Sequence, residues 1–490
     1  MLIALRCDGG DVLGAGHVGR CLPVAHALAR AGHEPVMVGD HDGVALRLLE
    51  HAGVARRPPA RDEPCGIPAD VEAALVDVYG QGDGQRRAAA ALRPLVVVRD
   101  ALDPTPPPPG AAYLDYHLDA VPPASAGIAL CGPDYAPLDP RVAAARQGPH
   151  DGGLLVALGG STVGTTALEP LLGALLDAGH ERLLVAGALV PEPRPGVEHV
   201  GPLPGLQDVL GEVSGICCGA SVTAYEASAA GTAALLVVLV DNQERVGRVF
   251  APLTPVLDVR GEPRRHSSPA VAPAAGPLGV GGPGPRAAVA DGFAAARDAA
   301  GGLAGSSLPS RGPALVDGHG AARVRDALLA LVAGDHPPEP LRQRPATTAD
   351  ADLLRRWRND PGVRAVSVSS DPIAADEHAG WLRRVLADPD RTLLVVERGG
   401  VPVATVRFDR DAGSAEAEIS VTVDPAARAT GLGRRILRES TERELSSRPA
   451  LRRVTALVHA DNAASLRAFG AAGYRPAGTH GAWRTLEAVR

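Results

Sequence analysis

Twice in its first half the chain runs from a short apolar segment into a glycine-rich turn and then into a helical pattern. The first run is LIALR before GAGHVGR, and the second is GLLVALGGSTVG before LEPLLGALLDAG. Further apolar segments alternate with helical stretches after each run, among them EPVMVGD, AALVDVY, PLVVVRD, ERLLVAG and SGICCGAS. Alternation of this kind builds a mainly parallel sheet covered by helices. The sequence therefore predicts two doubly wound α/β domains, at residues 1–148 and 151–332.

The rest of the chain follows other patterns. Residues 255–315 show no hydrophobic period and are rich in Pro, Gly and Ala, so we expect an irregular or disordered segment within the second domain. A linker at residues 333–340 follows. From residue 341 to residue 490 a helix around ADADLLRRWRND, strands such as TLLVVERG and AEAEISVTV, and a further long helix predict an α+β domain.

Composition excludes several classes of function. The 490 residues carry a net charge of −7 with both signs interleaved, which favours neither a nucleic-acid partner nor a membrane surface. No apolar run reaches membrane-spanning length and the start does not resemble a signal peptide, so we expect a cytoplasmic protein without membrane insertion. The six cysteines form no CxxC pattern, and we expect no metal. The absence of lysine excludes Schiff-base catalysis through that residue.

A glycine turn in the last domain has the chemistry of an anion site. Arg428, Gly431 and Gly433 lie between a strand and a long helix, where successive backbone N–H groups and a helix start can hold a pyrophosphate. Asn462 and Ser465 follow a later strand, one helical turn apart. One glycine turn is weak evidence, but the two features in this order are stronger.

With these motifs, residues 341–490 resemble the GNAT family of N-acetyltransferases. The resemblance implies that Arg428, Gly431 and Gly433 bind the pyrophosphate of acetyl-CoA, and that Asn462 and Ser465 lie along its thioester arm. It makes acetyl-CoA the expected co-substrate. The opening LRQRPATTADADLLRRWRNDPGVR resembles in particular the acetyltransferases that act on amino sugars attached to UDP in nonulosonic acid synthesis.

Two residues concern proton transfer in this domain. Glu418 is the candidate general base for the attacking amine, and an exposed strand glutamate without a role is the alternative. Many family members have a tyrosine about seven residues after the asparagine as the acid for the leaving thiolate. This chain has Phe469 there, while Tyr474 lies on the next turn.

The opening of the chain carries a second motif, spread over Arg6, Asp8, Gly14, Gly16, His17, Arg20 and Cys21. Together with VDVYG, LCGPDYAPLDP, LGGS, CCGASVTAYEASAAGT, VDNQ and DGHGAARV in the same order, it resembles the UDP-sugar hydrolases of pseudaminic acid synthesis. Those enzymes have the glycosyltransferase-B fold. The fold expected from the resemblance is therefore two doubly wound domains of the glycosyltransferase-B type followed by an α+β GNAT domain.

By this resemblance His17 is the general base that activates water, and Tyr79 and Asn242 shape the sugar site. The UDP-sugar is then bound by Gly16 and Arg20 in the first domain and by Gly160, Ser161 and Glu226 in the second, with Glu226 on the ribose. Structural alternatives remain for the charged residues near the motif. Arg6 and Arg20 can form ion pairs with Asp8 and Asp11, and Asp77 at a strand end is expected to cap a loop.

The combined prediction is a bifunctional enzyme with a UDP-linked amino sugar and acetyl-CoA as partners. It acetylates a UDP-4-amino-4,6-dideoxy-N-acetyl hexose and then hydrolyses the product to UDP and a free 2,4-diacetamido-2,4,6-trideoxy hexose. Three alternatives remain: a glycosyltransferase, an acetyltransferase whose front half only binds nucleotide sugar, and an acetyltransferase for protein or antibiotic amines.

Overall fold

The computed structural model describes residues 1–11, 14–78, 81–99, 108, 110–123, 127–159, 165–187, 189–201, 203, 205–260, 315–367, 369–411, 413–428 and 430–490. These residues form two compact units, Met1–Pro337 and Pro338–Arg490. The first contains two separate sheets and the second contains one.

The first sheet of the first unit has seven strands in the order β3-β2-β1-β4-β5-β6-β7, and every pairing is parallel. Its central strands are buried on both faces, which explains why they read as continuous apolar runs. The strands are β1 (Leu2–Cys7), β2 (Glu34–Val38), β3 (Ala55–Arg57), β4 (Ala73–Asp77), β5 (Leu95–Val98), β6 (Ala111–Asp115) and β7 (Ile128–Cys131). The helices that accompany them are α1 (Gly16–Arg30), α2 (Gly43–Ala52), α3 (Asp83–Leu92) and α4 (Arg141–Ala144).

The second sheet is also entirely parallel, with six strands in the order β10-β9-β8-β11-β12-β13. Its strands are β8 (Gly152–Ala157), β9 (Leu183–Ala186), β10 (Val197–Gly201), β11 (Val213–Gly219), β12 (Ala234–Val238) and β13 (Val256–Asp258). Its helices are α5 (Thr165–Asp177), α6 (Val222–Ala230) and α7 (Glu244–Phe250).

The strand order of each parallel sheet reverses at one place. The reversal lies between β1 and β4 in the first sheet and between β8 and β11 in the second. Loops leave such a point in opposite directions, and the crevice at the carboxyl ends of the two strands is where open α/β sheets bind ligands. The start of α1 follows β1, so the His17 motif lies at this crevice of the first sheet.

The last described helix of the first unit, α8 (Gly320–Ala333), follows the second sheet in sequence but packs on the first. It contacts α1, β4, β5 and the short turn at Pro133–Tyr135. Gly320 is required for this approach, because a Cβ there would overlap the carbonyl oxygen of Ala136. The first unit thus begins and ends on the same sheet.

The second unit is one mixed sheet in the order β14-β15-β16-β17-β18-β20-β19. Its strands are β14 (Leu341–Pro345), β15 (Arg391–Arg398), β16 (Val401–Arg410), β17 (Glu416–Val423), β18 (Arg453–His459), β19 (Arg475–His480) and β20 (Trp483–Val489). One face packs against α9 (Ala351–Arg358) and α11 (Ala375–Ala387), which are joined through the short α10 (Pro361–Arg364). The other face packs against α12 (Leu432–Ser447) and α13 (Ala463–Ala471).

The prediction of a mixed α/β protein with parallel sheets and a final α+β sheet is confirmed. The glycosyltransferase-B type and the proposed domain boundaries remain predictions. Seven strands were not predicted, namely β3, β6, β7, β13, β14, β19 and β20. Most of the irregular segment at residues 255–315 lies outside the described part of the chain, while β13 lies at its start.

Candidate active sites

Two neighbouring strands of the second unit separate and leave a notch in its sheet. β17 and β18 run parallel and pair only from residues 416–418 to residues 453–455. Beyond that point β18 pairs with β20 alone. Residues 419–423 of β17 therefore have backbone groups that point toward β18 without pairing with it. No other strand that the structure describes pairs with these groups on that side. An extended amide-containing ligand such as a pantetheine arm can bind backbone groups of this kind.

The glycine turn after β17 leads directly into α12. Gly431 has φ +78°, a left-handed conformation that favours glycine, and α12 begins at the next residue with its N–H groups unpaired within the helix. The Arg428 side chain is already engaged, because it forms an ion pair with Asp360 at 3.0 Å and donates to the Val423 carbonyl at 3.2 Å. The turn therefore offers an anion mainly its backbone N–H groups.

Asn462 and Ser465 are joined in one helix cap. The Asn462 Oδ1 accepts a hydrogen bond from the Ser465 N–H at 3.1 Å, at the start of α13. The position corresponding to the Cβ of Gly433 lies 3.9 Å from the Ala468 Cβ, so the start of α12 approaches the middle of α13 closely. The turn and the cap, predicted separately, thus lie on two adjacent helices.

Glu418 lies where the strands begin to separate, on the exposed edge of the notch. Its register partner on β16 is Asp409, whose carboxylate binds Arg407 at 2.8 Å. Within the described ranges, no side chain forms a hydrogen bond or ion pair with the Glu418 carboxylate. An exposed carboxylate without a partner can accept a proton from an approaching amine.

Tyr474 packs inside the domain. It is 4 % exposed, its hydroxyl lies 2.5 Å from the Thr441 Oγ1, and its ring meets the Phe469 ring edge-on at 4.9 Å between centroids. Burial raises the pKa of Tyr474 above its usual range. The tyrosine therefore belongs to the core of the domain.

A set of basic side chains, called here the basic cluster, lies on the helical segment before β15. It comprises Arg355, Arg358, Arg364 and His378. Arg358 donates to the Ser369 carbonyl at 2.8 Å and Arg364 to the Ser370 carbonyl at 3.2 Å. Among the described residues, no carboxylate lies within ion-pair distance of the three arginines, and the His378 Nδ1 has no hydrogen-bond partner.

The positive charges of the basic cluster repel one another, yet the folded domain holds them close together. Burial and the neighbouring Arg364 lower the pKa of Arg358, and burial together with Arg355 and Arg358 lowers the pKa of His378. Like charges brought together without acidic partners stabilise neither the helix nor the unit. The arrangement is therefore suited to an external anion.

His17 and Arg20 of the first unit meet at Asp77, the last residue of β4. The His17 Nδ1 lies 2.7 Å from the Asp77 carbonyl oxygen and 3.1 Å from its Oδ1. Both are acceptors, so the tautomer with the proton on Nδ1 and the lone pair on Nε2 fits these contacts, although the Arg20 Nη2 also lies 3.3 Å from the Nδ1. Arg20 donates to both carboxylate oxygens of Asp77, at 2.5 Å and 2.6 Å.

Asp77 is ionised although it is 3 % exposed. Burial opposes ionisation, but Arg20 and His17 outweigh it and hold the pKa of Asp77 well below its usual range. The charged pair fixes the orientation of the His17 ring at the strand-order reversal of the first sheet.

A second charged group lies at the end of β6 and joins the two sheets of the first unit. Asp115 accepts from Arg99 at 2.9 Å and from Arg245 of α7 at 3.0 Å, and its Oδ1 lies 2.7 Å from the His117 Nδ1. Arg245 also binds Asp119 at 2.8 Å. Burial disfavours the Asp115 charge, but His117 and Arg245 hold the pKa of Asp115 well below its usual range. The α7 helix is thus anchored to the first sheet.

The predicted UDP residues of the second sheet are only partly within the described chain. Glu226 is partly buried on α6, and burial raises the pKa of its carboxyl to about 7. Asn242 lies in the short turn Asp241–Gln243 just before α7. Tyr79, Gly160 and Ser161 lie outside the described residues.

Three local expectations need correction. His17 and Gly16 lie in the first turn of α1 rather than on a free glycine turn, and His17 is 5 % exposed. Arg20 pairs with Asp77 rather than with Asp8 or Asp11, whereas the expected pair of Arg6 with Asp8 is present. Asp77 does not cap a loop, because a buried carboxylate beside a guanidinium gains more from an ion pair.

Sequence reasoning missed the basic cluster and the Asp115 group. The signal for the first was present in RRWRND and VR, where several arginines follow one another with few acidic residues. Asp115 follows the apolar run AAYL, which is short and comes after a stretch of prolines, so it was not recognised as a strand. Arg245 carries no local signal, because its partners are 126 and 130 residues away in sequence.

Among the residues that the structure describes, no group of three or more His, Cys, Asp or Glu side chains could hold a metal ion. In the same part of the chain, no helix is long and apolar enough to cross a membrane.

Residues 341–475 match a family model described as the acetyltransferase (GNAT) domain. The chain therefore carries a C-terminal GNAT acetyltransferase domain, and acetyl-CoA is the co-substrate of that domain. No curated protein matches the chain.

Each of the solved structures that follow covers about a third of this chain. One is the aminoglycoside acetyltransferase AAC(6')-Ib in complex with coenzyme A, at 18% identity over 31% of this chain and 95% of that chain, with a TM-score of 0.28. A second is the spermidine N-acetyltransferase from Vibrio cholerae with coenzyme A and spermine, at 15% identity over 30% of this chain and 95% of that chain, with a TM-score of 0.28. A third is a domain from Methanocaldococcus jannaschii, at 16% identity over 31% of this chain and 100% of that chain, with a TM-score of 0.28.

Proposed function

We propose that the GNAT domain at residues 341–475 transfers the acetyl group of acetyl-CoA to the amine of a UDP-linked 4-amino-4,6-dideoxy-N-acetyl hexose. The basic cluster is the observation that carries this proposal. Its three arginines have no carboxylate partner within the described chain, and a diphosphate supplies the negative charge that they need. A sugar attached to UDP offers an amine and a diphosphate in one molecule.

The elements that carry the basic cluster contact the elements that form the notch and the glycine turn. Helix α9, which carries Arg355 and Arg358, packs against β17, the strand of Glu418. Asp360, which precedes α10, is tied to Arg428 of the glycine turn. An acceptor whose diphosphate binds the basic cluster can therefore place its amine near Glu418, and acetyl-CoA can enter from the glycine turn.

The chemistry needs one base and a positioned thioester. The acceptor enters as an ammonium ion, loses one proton to Glu418, and its lone pair attacks the acetyl carbonyl carbon. The C–N bond forms and the C–S bond then breaks, while a second proton passes from nitrogen to the leaving sulfur. The products are the N-acetyl sugar, free coenzyme A thiol and one proton that Glu418 returns to water.

We infer further that the first unit hydrolyses the acetylated UDP-sugar. His17 would take a proton from water as the oxygen attacks the anomeric carbon, and the bond to UDP would break with inversion and without a covalent intermediate. The fixed tautomer of His17 supports this role, because it leaves the lone pair on the Nε2. The proposed sugar site also includes Tyr79, Asn242, Gly16 and Arg20. The proposed UDP site is formed by Gly160, Ser161 and Glu226.

Two observations on the fold support this second activity. The strand-order reversals of the two sheets each provide a crevice, and Arg245 joins the second sheet to the first. Helix α8 returns from the second sheet to pack on the first, which is compatible with the glycosyltransferase-B type. The alternative is a first unit that binds the nucleotide sugar without hydrolysing it. Any test of the proposed hydrolysis must distinguish these two activities.

A matched pair of arginine variants tests the proposed acceptor. We expect Arg358→Ala to raise the KM for the UDP-linked amino sugar at least 10-fold, because a charge-assisted contact to the diphosphate is worth about 1.5–3 kcal/mol. The KM for acetyl-CoA should change less than 2-fold. Arg356→Ala, at an exposed position on the same helix, is the control. Equal effects of the two variants, or a loss of acetyl-CoA affinity in Arg358→Ala, would contradict the assignment.

A further inference from the structure

Helix α7, which follows a strand of the second sheet, is held on the first sheet by a buried charge. Arg245 of α7 binds Asp115 at 3.0 Å and Asp119 at 2.8 Å. Its Nη1 also lies 3.3 Å from the His117 Nδ1. Asp115 is 1 % exposed, so Arg245 supplies compensation for a charge that water does not reach. The position of α7 therefore affects the side chains at the end of β6.

Tyr116 contacts both charged groups of the first sheet. Its ring stacks on the His117 ring at 4.8 Å between centroids, with an interplanar angle of 15°. Burial raises the pKa of Tyr116, and a hydrogen bond from Arg20 to its hydroxyl opposes that shift. Tyr116 is 4 % exposed, so both contacts lie inside the fold. One side chain thus lies between the Asp115 group and the ion pair of Arg20 with Asp77.

Arg20 connects Tyr116 with the proposed base. Its guanidinium donates to both carboxylate oxygens of Asp77, and its Nη2 lies 3.3 Å from the His17 Nδ1. A guanidinium is planar and holds its N–H donors in a fixed geometry, so a contact at one of them constrains the others. A contiguous series of contacts therefore runs from Arg245 of α7 to His17 of α1. We call it the contact chain.

Aromatic packing joins the same elements by a second route. Tyr116 meets Tyr225 of α6 edge-on at 5.3 Å between ring centroids, and Tyr225 meets Phe250 of α7 edge-on at 5.0 Å. Tyr225 is fully buried. Close-packed interiors transmit strain because they contain few voids. A displacement of α7 would thus reach Tyr116 through the packed rings as well as through the charges.

The start of α7 lies next to a residue of the proposed sugar site. The turn Asp241–Gln243 contains Asn242 and leads directly into α7, on which Arg245 is the second residue. A sugar held by Asn242 would therefore act on the segment that carries Arg245. Within the first sheet, Arg99 binds Asp115 at 2.9 Å, so the carboxylate keeps one guanidinium when α7 is displaced.

We propose that docking of α7 on the first sheet positions His17, and that Arg245 and Tyr116 are positioning residues for the proposed hydrolysis, on which this inference rests. With α7 docked, Arg245 holds the His117 ring under Tyr116, and Tyr116 holds the guanidinium of Arg20 beside His17. With α7 displaced, this support is lost. A UDP-sugar bound at Asn242 then orders the base only when the substrate is in place.

The kinetic test measures UDP release by the full-length protein from the N-acetylated UDP-sugar. We expect Arg245→Gln and Tyr116→Phe each to lower kcat by about 2- to 30-fold, the size of effect seen for substitutions along coupled contacts. The double variant should be little slower than the slower single variant, because both substitutions interrupt the same contact chain. Arg248→Gln is the control and should keep the original rate, because Arg248 is an exposed residue of α7 that binds Asp119 at 3.0 Å.

The nitrogen NMR shifts of the His17 ring provide a readout that needs no turnover. They report which ring nitrogen carries the proton, a property that a loss of stability alone does not change. We expect Arg245→Gln and Tyr116→Phe to shift the ring toward a mixture of tautomers, while Arg248→Gln leaves it unchanged. Circular dichroism shows whether each variant is folded.

The outcomes separate two failures. The positioning role is overturned if UDP is released at the original rate in Arg245→Gln, if Arg248→Gln is equally slow, or if the effects of Arg245→Gln and Tyr116→Phe multiply in the double variant. Unchanged His17 shifts in folded Arg245→Gln would also overturn it. If the unmodified protein releases no UDP, the proposed hydrolysis itself is wrong.

Discussion

At the scale of single residues, Asp77 shows how a buried charge can organise a site. Its carboxylate accepts both hydrogen bonds of Arg20 and lies beside the His17 ring, so one residue fixes the position of two others. Removing one partner of such a buried pair leaves the other charge without compensation. The position of His17 therefore depends on a residue 60 positions away in sequence.

Asp77→Asn should destabilise the first unit by about 3 kcal/mol at pH 7, because the half-buried Arg20 would lose the buried carboxylate that it binds. The pKa of Asp77 is depressed in the folded protein, so its contribution is present above the pKa of an unfolded aspartate, near 3.9, and is lost as the pH falls through lower values. The loss of stability in the variant, relative to the unmodified protein, should therefore become smaller below about pH 4. Hydrogen exchange of the β4 and α1 amides measures this difference in stability.

The control for this substitution is Asp83→Asn. Asp83 forms an exposed pair with Arg87 at 2.7 Å, and such pairs contribute less than about 1 kcal/mol. If Asp77→Asn were no more destabilising than Asp83→Asn at pH 7, the ion pair would not organise the site.

At the scale of elements, the start of α13 combines a structural and a proposed binding role. Asn462 caps the helix through its Oδ1, and we propose that its amide nitrogen donates to acetyl-CoA. An aspartate keeps the oxygen and lacks the amide donor, so the two roles can be separated by substitution.

Asn462→Ala should lower the stability of the second unit by about 1 kcal/mol, whereas Asn462→Asp should leave it within about 0.5 kcal/mol. Both variants should weaken acetyl-CoA binding, because both lose the amide donor. Urea unfolding followed by tryptophan fluorescence measures the stability, since Trp357, Trp381 and Trp483 all lie in the second unit. Normal acetyl-CoA affinity in Asn462→Asp would show that Asn462 is a cap only.

The elements also show which parts of the fold can be predicted from the sequence. Strands such as β1, β4 and β12 were predicted because they are fully buried and appear as continuous apolar runs. The β19 and β20 hairpin was missed, because RPAGTH is exposed along most of its length and has no apolar alternation.

The same limit applies to the sites. Arg428, Gly431, Gly433, Asn462 and Ser465 were singled out because local turns and caps leave a short-range pattern. Partnerships across long sequence distances, such as Arg20 with Asp77 and Arg245 with Asp115, leave none. The roles of these residues in binding and catalysis remain predictions.

At the scale of the whole molecule, the two proposed activities are consecutive reactions on one sugar. Acetylation in the second unit produces the N-acetylated UDP-sugar, and hydrolysis in the first unit would consume it. The proposed order follows from the chemistry of the acceptor, because the diphosphate that we propose as the ligand of the basic cluster is lost once UDP is released.

The most direct test of this account incubates the full-length protein with acetyl-CoA and the UDP-linked 4-amino-4,6-dideoxy-N-acetyl hexose while free thiol and free UDP are measured together. The account predicts thiol release matched by N-acetylated sugar, followed by UDP release that is lost in His17→Ala while thiol release continues. Thiol without UDP would restrict the first unit to binding. No thiol release above the rate of acetyl-CoA hydrolysis would contradict the central claim.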